Sequence, residues 1–268
     1  MNKVLISLLL MSAVSMPVHA QNTRYTFGIV PQQTASKLLQ SWTPLLRKME
    51  EITGLEFEFR TESSIPEFEE QLRNGAYDFA YMNPYHYTVF AKHPGYSAFA
   101  KASDKKITGL IVVHKDSSIK TVHDLEGKTI AFPSPAAFAA TILNRSNLKN
   151  SGIKFDTAYV NSHDSVYASV ARGIYPAGGA VLRTLNNTAS SYRDQLRVLW
   201  TSKGYTPHAF ASHPRISANV RKSVITALLQ INKKPDEPVY KILGIKSIEQ
   251  ARDSDWNDVR KLNINILE

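Results

Sequence analysis

The amino-acid sequence predicts an α/β protein with parallel sheets and helices on both faces. Short apolar runs rich in β-branched and aromatic residues, typical of buried strands, alternate with longer runs whose apolar residues recur at helical spacing. This alternation is typical of strand–helix–strand units. The predicted strands occupy residues 25–30, 55–59, 77–82, 109–114, 129–132, 155–160, 177–181 and 196–201.

Helical segments lie between most of these strands. The first ends at Gly54 and contains Pro44, which is expected to kink or break it. The polar and aromatic segment 83–87, directly after the third strand, is expected to be a loop. Two amphipathic helices, at 220–231 and 239–245, complete the chain.

The N-terminus has the features of a secretory signal peptide. Lys3 is followed by a short apolar run, and small residues precede a cleavage that is expected after Ala20. The chain has no cysteine, which excludes disulfides, thiolate metal sites and a lipid-attachment cysteine. Its net charge of +9 is spread along the sequence, which suits an anionic ligand better than nucleic acid.

The sequence lacks the usual motifs of catalysis and metal binding. It contains no nucleophile elbow, zinc-protease motif, phosphate loop or dinucleotide-binding glycine motif, and its histidines do not have metal-ligand spacing. We therefore predict no catalytic residue, no metal site and no cofactor. A binding protein is favoured over an enzyme.

The stretch 128–143 joins a predicted strand to an alanine-rich helix through two prolines. Ser134 is predicted to cap this helix, with Pro135 as its first residue. The free N–H groups of such a helix start, including those of Ala136 and Ala137, lie at the positive end of the helix dipole and suit a small anion. The alternative is an ordinary strand–loop–helix connection that binds nothing.

Side chains that follow predicted strands are the other candidates for ligand contacts, because open α/β sheets bind ligands at the carboxyl ends of their strands. His163 stands at a strand-to-helix junction and offers an N–H, and Arg183 follows a glycine-rich strand and offers a bidentate fork. Their alternatives are a polar residue of a capped helical turn and a surface arginine paired with a carboxylate. The remaining candidates, for which a core or loop position is the alternative, are Gln32, Tyr81, Asn83 and Tyr85.

Several short motifs are spaced along the chain. They are Trp42-Thr-Pro44, Asp78-Phe-Ala-Tyr-Met82, Ile119-x5-Leu125-x-Gly-Lys-x-Ile-Ala-Phe132, Asn161-x-His163 and Gly178-Gly-Ala-Val-Leu-Arg-Thr184. The ordered set resembles the phosphonate-binding-protein family, the periplasmic solute-binding components of phosphate, phosphite and phosphonate ABC importers. The resemblance covers nearly the whole chain after the predicted signal peptide.

The resemblance implies a two-lobed type 2 periplasmic-binding fold, with the ligand cleft between the lobes and closure by hinge bending. Lobe one would take residues 22–105 and 205–268, and lobe two residues 106–204. Gly109 and the pair 203–204 are candidate hinge points.

The resemblance further implies a periplasmic, monomeric protein that presents a small anion to a membrane partner. That partner would be an ABC permease or, as an alternative, a sensor histidine kinase. A non-phosphonate organic ligand, and a cleft that acts only through protein contacts, are further alternatives.

The family's ligand residues carry over only in part. A Ser-Thr-Ser run, which grips the anion in the family, matches Pro135, Ala136 and Ala137, so that three hydroxyls and one N–H are absent here. The family's histidine matches His163, which is retained. The acidic residue that meets an aminophosphonate's ammonium group in some members falls at Pro176, which argues against an aminoalkylphosphonate ligand.

Overall fold

The structure is a computed structural model that describes residues 24–103, 105–232, 240 and 243–267. The predicted signal peptide, and residues 239, 241 and 242 of the predicted helix at 239–245, lie outside the described residues. The described strands form one six-stranded and one five-stranded sheet, each at the centre of one lobe. Over the same residues, no helix is both long and apolar enough to cross a bilayer.

The secondary structure alternates as predicted. The described strands are β1 (Arg24–Ile29), β2 (Glu56–Arg60), β3 (Phe79–Met82), β4 (Ser97–Ala102), β5 (Leu110–His114), β6 (Thr129–Phe132), β7 (Asp156–Tyr159), β8 (Ala177–Ala180), β9 (Leu196–Thr201), β10 (Ala209–Ser212) and β11 (Ile248–Gln250). The described helices are α1 (Ala35–Thr53), α2 (Ile65–Arg73), α3 (Pro84–Phe90), a π-helix (Phe138–Leu143) that continues as α4 (Asn144–Asn150), α5 (His163–Ala171), α6 (Leu182–Asn186), α7 (Ser190–Arg193), α8 (Ala218–Ile231) and α9 (Asn257–Arg260).

Both sheets are mixed rather than parallel. In the first, of order β11-β4-β10-β3-β1-β2, β1 is parallel to β2 and β3, whereas β10 is antiparallel to β3 and β4. In the second, of order β7-β6-β8-β5-β9, β6 is parallel to β7 and β8, whereas β5 is antiparallel to β8 and β9. Every predicted strand is present, but the prediction of parallel sheets was wrong. β10 and β5, each next to an interlobe connection, are antiparallel to both of their neighbours, and β11 is antiparallel to β4.

The two lobes have different cores. In the first lobe, aromatic rings fill the space between the sheet and α1: Phe27 stacks on Phe79 with ring centroids 5.8 Å apart, and Trp42 lies 4.7 Å from Tyr81. The second lobe packs mainly aliphatic side chains such as Ile130 against the two faces of its sheet. The lobe-one side of the cleft therefore rests on large, rigid rings.

Two antiparallel segments connect the lobes. Ile107 and Tyr205 form a bridge in which each N–H donates to the other's carbonyl, at 2.8 and 2.9 Å. Beside it, Ser202 Oγ accepts from Gly109 N–H at 2.9 Å. The first sheet is formed by strands before and after these segments, and the second by strands between them. The predicted lobe boundaries, at 105–106 and 204–205, stay a prediction with which this order agrees.

Local predictions near prolines were less accurate. α1 continues through Pro44 without a break, because its buried side packs on the sheet both before and after the proline. Residues 83–87 do not form a loop. Asn83 caps α3 by accepting from His86 N–H at 2.8 Å, and Pro84 is the first helical residue, where no N–H is needed.

Candidate functional site

The ends of strands from both sheets surround one small interlobe cavity, in which the space open to the centre of a water molecule is about 10 Å³. Residues that follow β1, β3 and β8, and the helix start that follows β6, contribute to its wall, as expected for an α/β protein. Apolar side chains make up most of the wall, with a few polar groups among them. The lining residues are Val30, Gln32, Ile65, Asn83, Ile107, Ala137, Phe138, Ala139, Ala140, His163, Val181 and His208.

The lobe-two wall of the cavity is the start of a helix. After β6 the chain makes a turn, in which Ala137 N–H donates to Ser134 O at 3.4 Å, and it becomes helical at Phe138. The prediction that Ser134 caps the helix was wrong, because this turn separates it from the first helical residue. The first N–H groups of a helix have no partner within it, so those of Phe138, Ala139 and Ala140 can meet an anion in the cavity.

This helix start packs directly against the second sheet. A Cβ on Gly179 of β8 would lie 2.0 Å from Ala140 O, and a Cβ on Gly109 would lie 2.3 Å from Ala139 O. Only glycine permits so close an approach of two backbones. The two glycines therefore fix the position of the helix start and of its first N–H groups at the cavity.

His163 lies in the same wall, as the first residue of α5. Ser162 caps this helix by accepting from Ser165 N–H at 3.1 Å. The imidazole is buried, and its Nδ1 lies 3.3 Å from Thr184 Oγ1. Burial, and then the positive charge of Arg183, lower the pKa of His163 to about 3, so the ring is neutral at neutral pH. One ring nitrogen therefore donates and the other accepts.

Arg183 brings a positive charge to the edge of the cavity. It lies just after β8 in lobe two, and its Nη2 donates to Oε1 of Gln32 in lobe one. Its charge lowers the pKa of both His163 and His208. Within the part of the chain that the structure describes, this guanidinium has no carboxylate partner. The interpretation of Arg183 as a surface arginine in an ion pair is therefore not supported by these contacts.

Direct contacts between the lobes hold the cleft closed. Besides the arginine–glutamine bond, Lys37 Nζ of α1 lies 3.0 Å from Asp164 Oδ2 of α5. Asn83 Nδ2 donates to Ala136 O at 3.1 Å. The structure is therefore a closed arrangement of the two lobes.

The lobe-one wall presents Asn83 and His208. Asn83 Nδ2 lies 3.0 Å from His86 Nε2, and Glu69 Oε1 lies 2.9 Å from the same nitrogen. His208 directly precedes β10 and stacks on Tyr81, with ring centroids 4.9 Å apart and 12° between the planes. His208 was not among the predicted site residues, because β10 was not predicted from the sequence.

Comparison with known proteins agrees with this architecture. Residues 27–256 match the family model described as "ABC transporter, phosphonate, periplasmic substrate-binding protein". The chain belongs to this family. The resemblance noted from the sequence motifs is confirmed.

Two curated proteins are similar to the chain. The phosphate-import protein PhnD of Mycolicibacterium smegmatis is 23% identical over 239 residues, which cover 76% of this chain and 71% of that protein. The tetrathionate sensor histidine kinase TtrS of Salmonella typhimurium is 24% identical over 157 residues, which cover 55% of this chain and 26% of the kinase. The second likeness therefore concerns about a quarter of the kinase.

Two solved structures share the fold. The binding-protein component of an ABC phosphonate transporter from Pseudomonas aeruginosa has a TM-score of 0.83 at 16% identity, with 90% of this chain and 86% of that chain covered. PhnD1 from Prochlorococcus marinus, in complex with methylphosphonate, has a TM-score of 0.79 at 17% identity, with 90% and 98% covered. The two-lobed type 2 periplasmic-binding fold is thereby confirmed.

The structure brings most of the predicted site residues of this family member together, and their contact with a ligand stays a prediction. Those at the cavity are Gln32, Asn83, Ala137 and His163, and those next to it are Tyr81, Ala136 and Arg183. Ser134 is buried, and its Oγ has no hydrogen-bond partner in the described part of the chain.

The placement of Tyr85 in the site was wrong. Because residues 84–90 are helical, Tyr85 points into a groove beside the C-terminal segment, where its hydroxyl accepts from Leu267 N–H at 2.8 Å. An extended loop would have placed it near Asn83 at the cavity, whereas the helix turns it away.

Pro176, to which the family's acidic residue was matched, does not line the cavity. Pro176 precedes β8, and the cavity lies at the other end of that strand, about 15 Å away at the usual rise per residue. The described lining residues include no carboxylate, and no described cluster of histidine and acidic residues could hold a metal ion. The positive charge of Arg183 therefore remains the feature that disfavours a ligand with an ammonium group.

Proposed function

We propose that this chain is exported to the periplasm, binds a small oxyanion in the interlobe cavity and presents the closed form to an ABC permease. The family's description supports the role. The observation that carries the ligand class is Arg183, whose guanidinium lies beside the cavity without a carboxylate partner among the described residues. A cation without an internal partner favours a ligand that supplies the negative charge.

The lobe-two wall supplies the hydrogen-bond donors. The N–H groups of Phe138, Ala139 and Ala140 lie at the positive end of a helix. His163 adds a donor at Nε2 in the tautomer whose Nδ1 accepts from the hydroxyl of Thr184. The same hydroxyl lies 3.0 Å from Val181 O, the other acceptor for its single proton. The hydroxyl of Tyr167, 2.5 Å from Thr184 Oγ1, can donate to that oxygen and complete the relay. A neutral histidine thereby binds the anion without any change in charge.

A ligand in this cavity stabilises the closed arrangement because its contacts come from both lobes. Lys37–Asp164 and the bond from Asn83 to Ala136 O contribute to closure without the ligand. The ligand adds the difference between its affinities for the closed and the open forms.

The chemistry of the wall narrows the ligand further. Alanines stand where serine and threonine hydroxyls bind the anion in the family. In this chain, binding at these positions therefore depends on main-chain N–H groups. We propose a phosphorus or sulfur oxyanion, or a small organic derivative, and not an aminoalkylphosphonate, whose ammonium group would meet the Arg183 charge. The name of the relative that imports phosphate and the relative solved with methylphosphonate support this class.

A thermal-shift screen of residues 21–268 tests the proposal. The probes are phosphate, phosphite, methylphosphonate, sulfate, thiosulfate, tetrathionate, and small carboxylates and amines. A ligand at about a hundred times its dissociation constant should raise the free energy of unfolding by about 2.7 kcal/mol. His163→Ala should remove this shift. His114→Ala should keep it, because His114 lies at the end of β5 that is distant from the cavity.

The outcome of the screen separates the alternatives. A phosphorus oxyanion whose effect is lost in His163→Ala supports the proposal, and a response to sulfur oxyanions alone shows that the alanines have changed the selectivity. A response to amines alone, or to no probe, contradicts the small-anion function. In that case a larger organic ligand or a role through protein contacts becomes the better hypothesis.

The likeness to TtrS supports presentation of the ligand to a sensor histidine kinase as a second candidate role. The two roles differ in what the closed form stimulates. ATP hydrolysis by a reconstituted ABC permease would support import, and autophosphorylation of a kinase would support sensing. Each assay needs the ligand-free protein as its control.

A further inference from the structure

His208 is a buried histidine whose Nε2 atom has no hydrogen-bond partner among the described residues. β10 is antiparallel to β3, with Ala209 paired with Met82, so the amino end of β10 lies beside the carboxyl end of β3. This pairing brings His208 to the cavity, where it lines the lobe-one wall with 5% of its surface exposed.

One edge of this imidazole has no hydrogen bond. Its face stacks on Tyr81, but its Nε2 is buried and has no partner among the described residues. The titratable or charged groups that act on it are Arg183, His86 and His163, and none of them is an acceptor with a negative charge. Burial, followed by Arg183, keeps the pKa of His208 well below its ordinary value, so the ring is neutral.

His86 is a second buried histidine, and its Nδ1 likewise has no hydrogen-bond partner among the described residues, but its Nε2 does. It is fully buried, about as deeply as His208, and its Nε2 lies 2.9 Å from Glu69 Oε1 and 3.0 Å from Asn83 Nδ2. Each ring thus has one unpaired nitrogen, but the Nε2 of His86 is held by a carboxylate and an amide, whereas the unpaired nitrogen of His208 belongs to a residue that lines the cavity. Leaving a buried polar atom unpaired is costly, and such costs persist at sites of function.

We propose that His208 is the lobe-one hydrogen-bond donor to the bound anion, opposite the helix start and His163 in lobe two. The inference rests on the proposed function and deepens it: the ligand must carry acceptor oxygens that reach both lobes. An anion held in this way connects the two walls directly, so that its binding and the closure of the lobes are one event.

Two substitutions test the role of His208. His208→Phe keeps an aromatic ring that can stack on Tyr81, but it removes the polar edge. His208→Gln keeps an N–H donor at about the position of Nε2. His213→Phe is the matched control, because His213 follows the far end of the same strand. Each variant is compared with the parent in melting temperature without added ligand and in its response to phosphate, sulfate, thiosulfate and methylphosphonate.

If the inference is correct, His208→Phe raises the melting temperature without ligand by about 2–4 °C, because an unpaired buried polar atom has been removed. The same variant binds the responding anion about ten- to a hundredfold more weakly. His208→Gln binds within a few fold of the parent, and the His213 control changes neither anion binding nor its selectivity.

A lower melting temperature with unchanged anion binding in His208→Phe would overturn the inference and make His208 a structural residue. Failure of His208→Gln to bind would likewise overturn a role as an N–H donor. If no probe stabilises the parent protein, the proposed function fails, whereas the melting temperature of His208→Phe without ligand still decides whether His208 serves the fold.

Discussion

The two walls of the cavity differ in what they present to a ligand. The lobe-two wall is mainly backbone: the alanine-rich helix start offers N–H groups whose direction is fixed by close packing on Gly109 and Gly179. The lobe-one wall is mainly side chains, and His208 and Asn83 stand on aromatic and helical supports. Backbone N–H groups bind negative charge whatever the anion, whereas side chains can be changed by substitution to match the shape of a particular anion. We infer that lobe two supplies affinity for anions and lobe one supplies selectivity among them.

The largest effect is expected from the charge that lies between the walls. Arg183→Gln keeps a hydrogen-bonding side chain near Gln32 but removes the charge, so anion affinity should fall about a hundredfold, or about 3 kcal/mol. Isothermal titration calorimetry measures this loss. Arg193→Gln is the control, because Arg193 pairs with its neighbour Asp194 at the surface. Equal affinity in the Arg183 variant and the parent would remove Arg183 from the site.

The backbone wall can be tested through its packing. Gly179→Ala should lower the free energy of unfolding by about 2–3 kcal/mol, because the new Cβ would meet a main-chain carbonyl. Gly152→Ala is the control within the same lobe: its φ is +74° but nothing lies within 4 Å, so it should cost only about 1 kcal/mol. Urea unfolding compares the two, and equal costs would show that the helix start can move away from the sheet.

Both walls bury a histidine in its neutral form, which makes stability depend on pH. The pKa of His163 is lowered from 6.5 to about 3. As the pH falls below 6.5, this histidine therefore becomes protonated in the unfolded chain but stays neutral in the folded protein. Stability that is complete above that pH should therefore fall by about 2 kcal/mol between about pH 7 and about pH 5. The lowered pKa of His208 acts in the same direction. Denaturant titrations at several pH values across this range should show that the free energy of unfolding depends less on pH in His163→Gln than in the parent. An unchanged pH dependence would contradict the burial of a neutral ring.

The smallest effect is expected where the walls meet at the surface. Lys37→Ala removes the partly exposed ion pair with Asp164 and should weaken closure by about 0.5 kcal/mol, a roughly twofold loss of anion affinity. High salt should reduce the difference between variant and parent. Lys48→Ala, which removes a pair within α1 itself, is the control. A tenfold loss for Lys37→Ala would show that its cation contacts the ligand.

The strands and most helices could be predicted because their patterns are local. The apolar composition of β1 and β6 is enough to predict buried strands. Gly54 ends α1 in the left-handed conformation that glycine favours. Asn83 followed by Pro84 is a helix-start signal that could have corrected the loop prediction and, with it, the position of Tyr85.

The remaining site features depend on packing between segments that are distant in sequence. Where the helix after β6 begins is decided by contact with Gly179 of β8 and with Gly109, which directly precedes β5, and no local pattern records these contacts. His208 reaches the cavity only because a short, alanine-rich strand pairs antiparallel with β3. Such a strand has little intrinsic preference for its conformation, so neither it nor its terminal histidine could be found without the sheet.

The bond from Asn83 to the carbonyl of Ala136 has a consequence for timing. Because it joins one lobe to the other directly, it must break each time the cleft opens, whatever the bound solute. The lifetime of the complex with its ligand therefore depends partly on a bond within the protein that is the same for every ligand. We expect spontaneous release to be slow, and a membrane partner that separates the lobes to set the rate of delivery.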